Sequence, residues 1–264
     1  MAIYQYLIYR RQMKESILNK IIFKVLGILL FVIIWQVLSM AIGEQTFIFP
    51  GPFVTTKEAI KLLSESYIYK CLYQTMIRMI GGFAIAFGLA FILGMLAGNN
   101  RKIELLFEPS MTILRSVPTA TLVYLFLVLA GARLTPMLIV VLVAFPILYE
   151  SIVAGIKSTP TDLIEAATLE SPSKLPIIFR IKLPLAIPYI IVGIVTSFAL
   201  SLKIEIMAEV ITGYTRLGLG SAILAVQRND PTNMVPVFAY SLVAIVLMLI
   251  FDVISNLVKA KLEQ

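Results

Sequence analysis

Histidine is absent from this sequence of 264 residues, and cysteine occurs once, at Cys71. Without histidine the chain lacks the commonest general base and the commonest metal ligand. A single thiol cannot form an internal disulfide bond, and the scattered carboxylates show no pairing with a nucleophile or a metal-ligand spacing. We therefore expect no catalytic residue and no metal site, and an enzyme is the least favoured class.

The sequence also lacks Gly-Lys-Ser and Gly-Lys-Thr, so it contains no Walker A phosphate-binding loop. The chain is therefore not expected to hydrolyse a nucleotide by that chemistry. If nucleotide energy drives it, that energy has to arrive through contact with another protein.

Charge is scarce as well: only 14% of residues are charged, whereas 59% are hydrophobic. The mean hydropathy of +0.95 is typical of an integral membrane protein. The net charge of +7 comes mostly from basic residues beside apolar runs. That placement favours contact with anionic lipid headgroups over nucleic acid.

Long hydrophobic runs are what the sequence has in abundance. A membrane-spanning helix needs about 20 mostly apolar residues. Six charge-free runs approach this length, and the third and fourth are separated only by Arg133, so we expect a tight hairpin with the turn "GARLTP". The runs are 25–43, 79–98, 116–132, 134–149, 183–202 and 231–251.

The distribution of lysine and arginine predicts the topology. With a cytoplasmic N-terminus, fourteen basic residues fall inside and eight outside, which favours cytoplasmic termini by the positive-inside rule. We predict an all-α integral membrane protein of about six spanning helices in a single domain, 1–264. Its parts are a cytoplasmic N-terminal segment, 1–24, a six-helix core, 25–258, and a cytoplasmic loop between the fourth and fifth spans, 157–182.

Small residues recur every four positions along the second run. Such a stripe lets another helix backbone approach closely, so we expect a helix–helix seam there. The stripe consists of Gly82, Ala86, Ala90, Gly94 and Gly98.

The loop at 157–182 contains a short amphipathic helix. Thr159-Pro160 is typical of a helix start, and Asp162 with Glu165 has capping-box spacing. A helix of two to three turns is marginal in water, so it needs a partner surface. From these residues alone, the helix either docks on another protein or packs back on the membrane helices.

The same segment carries a specific resemblance. "EAATLES" followed by "IKLP" resembles the EAA signature of ATP-binding-cassette (ABC) importer permeases. The one departure is Ser171, where the family has glycine, so the turn after the helix is expected to differ from the family's. The residues matched to this loop are Asp162, Glu165, Ala166, Ala167, Leu169, Ser171, Ile181, Leu183 and Pro184.

Three further stretches look like the nitrate, taurine and aliphatic-sulfonate branch of these permeases. They are "TMIRMIGGFAIAFGLAFILGMLAG", "EPSMTILRSVPTATLVYLFLVLAGA" and "AEVITGYTRLGLGSAI". The resemblance implies a pore built from two permease subunits, most simply a homodimer, in the inner membrane of a prokaryote. It also implies a cytoplasmic ATPase dimer that grips the short helix and holds ATP and Mg²⁺, and an extracytoplasmic solute-binding protein that delivers a small solute.

Charged and hydroxyl residues near the end of the fifth run are candidates for the pore or its gate. They are Ser197, Lys203, Glu205 and Glu209. Charges inside a membrane are costly and often functional, but these could also lie at the outer headgroup level. Ser197 could instead hydrogen-bond its own helix backbone.

The alternative function is an ion-coupled secondary transporter that acts alone. It would need ion-binding groups at the middle of the bilayer and commonly an inverted repeat. Neither is evident, although Glu205 and Glu209 keep this alternative open.

Overall fold

The computed structural model describes residues 2–42, 48–170, 173–213 and 217–262, with the backbone alone for 2–21, 170, 174 and 262. Ten α-helices and one π-helical turn account for nearly all of these residues, and no strand occurs among them. The helices are α1 Ala2–Ala41, α2 Pro52–Leu63, α3 Ser66–Asn99, α4 Arg101–Ser116, α5 Thr119–Lys157, α6 Thr161–Glu170, α7 Lys174–Ile177, α8 Leu183–Thr212, α9 Leu219–Asn229 and α10 Val235–Leu262.

Five helical segments in the described part of the chain are long and apolar enough to cross a membrane. They are Ile22–Ala41, Ser66–Asn99, Thr119–Lys157, Leu175–Thr212 and Val235–Lys261. The all-helical membrane fold predicted from the sequence is thus confirmed. Helix α1 also continues through most of 1–24, the segment predicted to precede the core.

The third apolar run from residue 119 onward and the whole of the fourth lie within α5. Gly131 alone leaves helical geometry, with φ 75° and ψ 165°, a conformation that glycine adopts without a Cβ clash. Val123 and Ile139 flank it and belong to one buried cluster with Ile204 and Ala208 of α8. A straight helix would separate Val123 and Ile139 by about 24 Å, so α5 bends sharply, and the predicted "GARLTP" turn is reduced to one residue.

Several helices are longer than the charge-free runs that predicted them. Helix α3 begins at Ser66 rather than near Met79, and α8 continues to Thr212 rather than ending near Leu202. The extra turns contain charges, among them Arg78, which the structure pairs inside the protein. A charge therefore did not mark a helix end at these places.

Helices α3, α5 and α8 form the centre of the subunit. Buried side chains from these helices make up one cluster around Ala90, Leu148 and Ile152, and α10 and α9 complete a second around Leu202 and Tyr240. The short helix α2 packs against α10. The central packing thus holds α8, which continues from the predicted cytoplasmic loop, in a fixed position.

Candidate functional site: an exposed helix and a buried charge network

Helix α6 is the short helix predicted in the loop, and it stands free of the core. None of its described side chains is buried; Leu163 is 47% exposed and Leu169 is 90% exposed. Glu165 and Ala166 are exposed as well, and Ala167 is half-buried. An apolar surface in this state is what a docking helix presents before its partner binds.

The start of α6 differs from the predicted capping box. The helix begins at Thr161, so Asp162 lies inside the first turn instead of preceding it. At this position the positive end of the helix dipole stabilises the negative charge of the Asp162 carboxylate. Ser171, the one departure from the family signature, lies outside the described residues.

Helix α6 connects almost directly to a membrane helix. Only 171–173 separate it from α7, which passes through a π-helical turn, Ile178–Lys182, into α8. Ile181 lies in that π turn, and Leu183 and Pro184 follow directly as the first two residues of α8. A displacement of α6 would therefore act at the base of α8.

An ion pair and a hydrogen bond link the helix ends that surround α6 in the sequence. The Lys157 ammonium, at the end of α5, lies 3.0 Å from a Glu104 carboxylate oxygen of α4, and Lys182 donates to Asn99 over 2.9 Å. Lys157 and then Arg101 hold the pKa of Glu104 below its usual range. The ends of α3, α5 and α8 are thus linked on the α6 side of the molecule.

The small-residue stripe of α3 lies against α5. A Cβ added at Gly82 would come within 2.6 Å of the Met137 carbonyl oxygen, and one at Gly94 within 2.9 Å of Ile152 Cγ2. Ala86 and Ala90 between them have no exposed surface. At Gly98 the added Cβ would lie 2.7 Å from Ile156 Cβ. At these positions the backbones of α3 and α5 lie so close together that side chains larger than those present would not fit.

Glu209 is the centre of a buried network at the other end of α8. Arg78 Nη1 donates to its carboxylate over 2.7 Å, Thr75 Oγ1 over 2.9 Å, and the Gly220 N–H over 2.9 Å. Arg78 also donates to the Leu217 carbonyl oxygen over 2.6 Å. The network joins α3, α8 and the start of α9.

The glycines around this network follow from its close packing. A Cβ at Gly218 would lie 2.6 Å from a Glu209 carboxylate oxygen, and one at Gly220 would lie 2.3 Å from the Ile206 carbonyl oxygen. The Gly-Leu-Gly sequence at 218–220 thus lets the backbone approach a carboxylate that a side chain would displace.

The remaining pore candidates lie on two opposite faces of α8. Ser197 and Glu205 are fully buried, and the Ser197 hydroxyl donates to the Gly193 carbonyl oxygen over 2.6 Å. Neither Glu205 carboxylate oxygen has a hydrogen-bond partner among the described residues. Lys203 instead projects from the exposed face, where its ammonium lies 3.8 Å from Asp252 of α10.

The sequence did not reveal the partners of these residues. Thr75, Arg78 and Asp252 were not singled out, and Arg78 is 131 positions from Glu209. The one sequence signal that could have identified Arg78 and Asp252 is that each is a charged residue directly next to an apolar run. No group of three or more Cys, Asp or Glu side chains that could hold a metal ion occurs among the residues described.

The subunit is thus all-helical and suited to a membrane, with an exposed loop helix that is followed, after residues 171–173, by α7, the π turn and a spanning helix. The chain belongs to the family of binding-protein-dependent transport system inner membrane components, whose family model matches residues 86–264. Members are permease subunits, which are not themselves enzymes.

Curated relatives agree with this assignment. The putative aliphatic sulfonates transport permease protein SsuC of Bacillus subtilis is 27% identical over 87% of this chain and 82% of its own length. The bicarbonate transport system permease protein CmpB of Synechococcus elongatus is 27% identical over 84% of each chain. The riboflavin transport system permease protein RibX of Chloroflexus aurantiacus is 27% identical over 74% of this chain and 73% of its own.

Solved structures share the fold. A chain of an amino acid ABC transporter with histidines superposes with a TM-score of 0.61 at 18% identity, over 74% of this chain and 93% of its own. A chain of the inward-facing MetNI methionine ABC transporter gives 0.58 at 15% identity, over 75% and 98%. The chain is thus a transmembrane permease subunit of an ABC importer, a class that works with a separate ATPase and a solute-binding protein. The comparisons do not support an ion-coupled transporter acting alone.

Proposed function

We propose that this subunit forms, with a second and most simply identical copy, the pore for a small oxyanion or sulfonate in the inner membrane of a prokaryote. A cytoplasmic ATPase dimer, which holds ATP and Mg²⁺, docks on α6, and an extracytoplasmic binding protein delivers the solute. The observation that carries the proposal is the exposed apolar surface of α6 at Leu163 and Leu169.

The connection between α6 and α8 supports a mechanical role. Because α7, the π-helical turn and α8 follow one another without a break, a partner that moves α6 also moves the base of α8. Nucleotide-driven closure of the ATPase dimer would then shift the equilibrium between two pore states. Such a shift requires the ATPase to bind the two states with different affinity.

Helix α1 makes little contact within the subunit: only 6% of the residues in its apolar window are buried. It therefore leaves a large apolar surface that is free for lipid or for the proposed second copy. The solute class rests on the sulfonate and bicarbonate permeases among the relatives.

Reversal of charge on α6 tests the docking role. Glu165→Arg places a cation on the exposed helix, and we expect about tenfold weaker ATPase binding, or ~1.4 kcal/mol, with a matching loss of uptake. The measurement is co-purification of the ATPase with the tagged permease from membranes. The matched control is Glu65→Arg, an exposed glutamate before α3, far from α6 in the sequence.

Unchanged ATPase binding and uptake in Glu165→Arg would contradict the docking role of α6. Equal losses in Glu165→Arg and Glu65→Arg would also count against it. The loss would then follow from the changed net charge of the subunit and not from the position of the charge on α6.

A further inference from the structure

A groove that contains charged and polar side chains runs along the outside of the subunit between α8 and α10. Its cavity volume is about 300 Å³, and Lys203 of α8 and Asp252 of α10 face each other across it. Both residues lie within segments apolar enough to span the membrane. Their side chains are 51% and 41% exposed, so the folded subunit alone does not cover them.

The polar residues of the groove follow helical periodicity. On α10, Asp252, Ser255, Asn256 and Lys259 stand at intervals of three, one and three residues and share one face. On α8, Thr196 lies seven residues before Lys203 and faces the same groove. The polar residues of α10 therefore form a stripe that reaches the last turn of that helix, whereas on α8 the apolar Val195, Ala199 and Leu200 line the groove beside Thr196 and Lys203.

The other exposed face of α10 is apolar. Val253 is 56% exposed and Leu257 is 66% exposed, and both alternate with the polar stripe along the helix. An apolar exposed face is suited to lipid, whereas charged side chains in a membrane face a protein interior or a water-filled cavity. Helix α10 thus has one face suited to lipid and another suited to water.

The charges of the groove favour an anion. Two ammonium groups, Lys203 and Lys259, share it with one carboxylate, Asp252. The separation of 3.8 Å between Lys203 Nζ and Asp252 Oδ2 is too long for a hydrogen bond. An ammonium has three donors, so Lys203 has hydrogen-bonding capacity for a ligand that enters the groove.

We propose that the α8–α10 groove is a water-filled part of the solute pathway, in which Lys203 binds the anionic group of the solute and Asp252 is its resting counter-ion. The proposal rests on the proposed function, because it assumes that a small anion passes through this subunit. To the proposed function it adds the surface that the solute contacts and the residue that makes the pathway selective for an anion.

Thiol labelling of variants with one introduced cysteine tests the proposal without knowledge of the solute. Asn256→Cys places a thiol in the groove, and Val253→Cys places one on the apolar face of the same helix. The native Cys71 has no exposed surface, which keeps the background low. Each variant of the full-length permease, purified with its partner subunits and reconstituted, reacts with anionic 2-sulfonatoethyl or cationic 2-(trimethylammonium)ethyl methanethiosulfonate.

We expect Asn256→Cys to react with both reagents and Val253→Cys to remain nearly unreactive. After normalisation to free cysteine, the anionic reagent should react about tenfold faster than the cationic one at Asn256→Cys, because a charged cleft concentrates the opposite charge. Adding Lys203→Gln should abolish this preference, whereas Lys203→Arg should keep it.

Equal inertness of Asn256→Cys and Val253→Cys would overturn the proposal and indicate a lipid-covered groove. A disulfide-linked dimer of Asn256→Cys that does not react with either reagent after reduction would overturn it too, because the groove would then be a closed interface between copies and not a water-filled pathway. Preference for the cationic reagent would refute the anion site. Labelling needs no nucleotide, so failure here while the ATPase still co-purifies overturns the groove alone.

Discussion

Glu209 shows how one buried carboxylate organises the end of a membrane helix. Its side chain is 1% exposed, and it accepts hydrogen bonds from Arg78, Thr75 and the Gly220 N–H. The sequence made Glu209 a candidate for the pore or its gate, and the stretch "AEVITGYTRLGLGSAI" contains both this residue and the Gly-Leu-Gly sequence. It could not connect them to Arg78, because the contact spans 131 positions and depends on how α3 packs against α8.

Removal of Arg78 should therefore be more damaging than removal of the whole charge pair. Arg78→Met leaves the Glu209 carboxylate buried without its cation, which typically costs about 3–5 kcal/mol of stability. In Arg78→Met/Glu209→Gln the remaining side chain is neutral and still accepts from the Gly220 N–H, so most of that loss should be recovered. Thermal unfolding of the detergent-solubilised subunit measures both.

Lys61→Met provides the control for this comparison. Lys61 pairs with Glu58 on the surface and is 68% exposed, so we expect a change of no more than about 1 kcal/mol. A double variant that unfolds at or below the temperature of Arg78→Met would show that Arg78 does not act through Glu209.

At the scale of helices, periodicity and apolar length predicted which segments span the membrane but not where they end. The run after Met79 predicted the later part of α3, and its start at Ser66 was missed because Arg78 looked like a boundary. Likewise α8 passes through Lys203, Glu205 and Glu209. A charge ends an apolar run in sequence, whereas tertiary partners decide whether it ends the helix.

The seam between α3 and α5 can be tested with two glycines of the same helix. Gly82→Ala would bring a methyl group within 2.6 Å of the Met137 carbonyl oxygen, whereas at Gly88 nothing lies within 4 Å. We expect Gly82→Ala to cost about 1–3 kcal/mol through overpacking. Gly88→Ala should be neutral or slightly stabilising, because alanine favours helix. Thermal unfolding in detergent compares them, and equal effects would exclude a close seam at Gly82.

At the scale of the whole molecule, the sequence orients the helices in the membrane by charge. The fourteen basic residues assigned to one side against eight on the other favour α6 in the cytoplasm and α2 outside. Lys157 and Lys182, which are among the fourteen, lie on the α6 side, where Lys157 pairs with Glu104 and Lys182 donates a hydrogen bond to Asn99. The helices pack on one another in the same way in either orientation. The charge distribution is therefore the one feature that predicts how the subunit is oriented in the membrane.

Two threonines allow that orientation to be measured. Thr168 of α6 and Thr56 of α2 are both exposed, and each hydroxyl donates to a carbonyl oxygen of its own helix, so cysteine should replace them with similar small effects. A membrane-impermeant maleimide should label Thr56→Cys in intact cells and Thr168→Cys only in inverted vesicles. The reverse pattern would place α6 outside, where a cytoplasmic ATPase cannot reach it, and the coupling proposed for α6 and α8 would then be impossible.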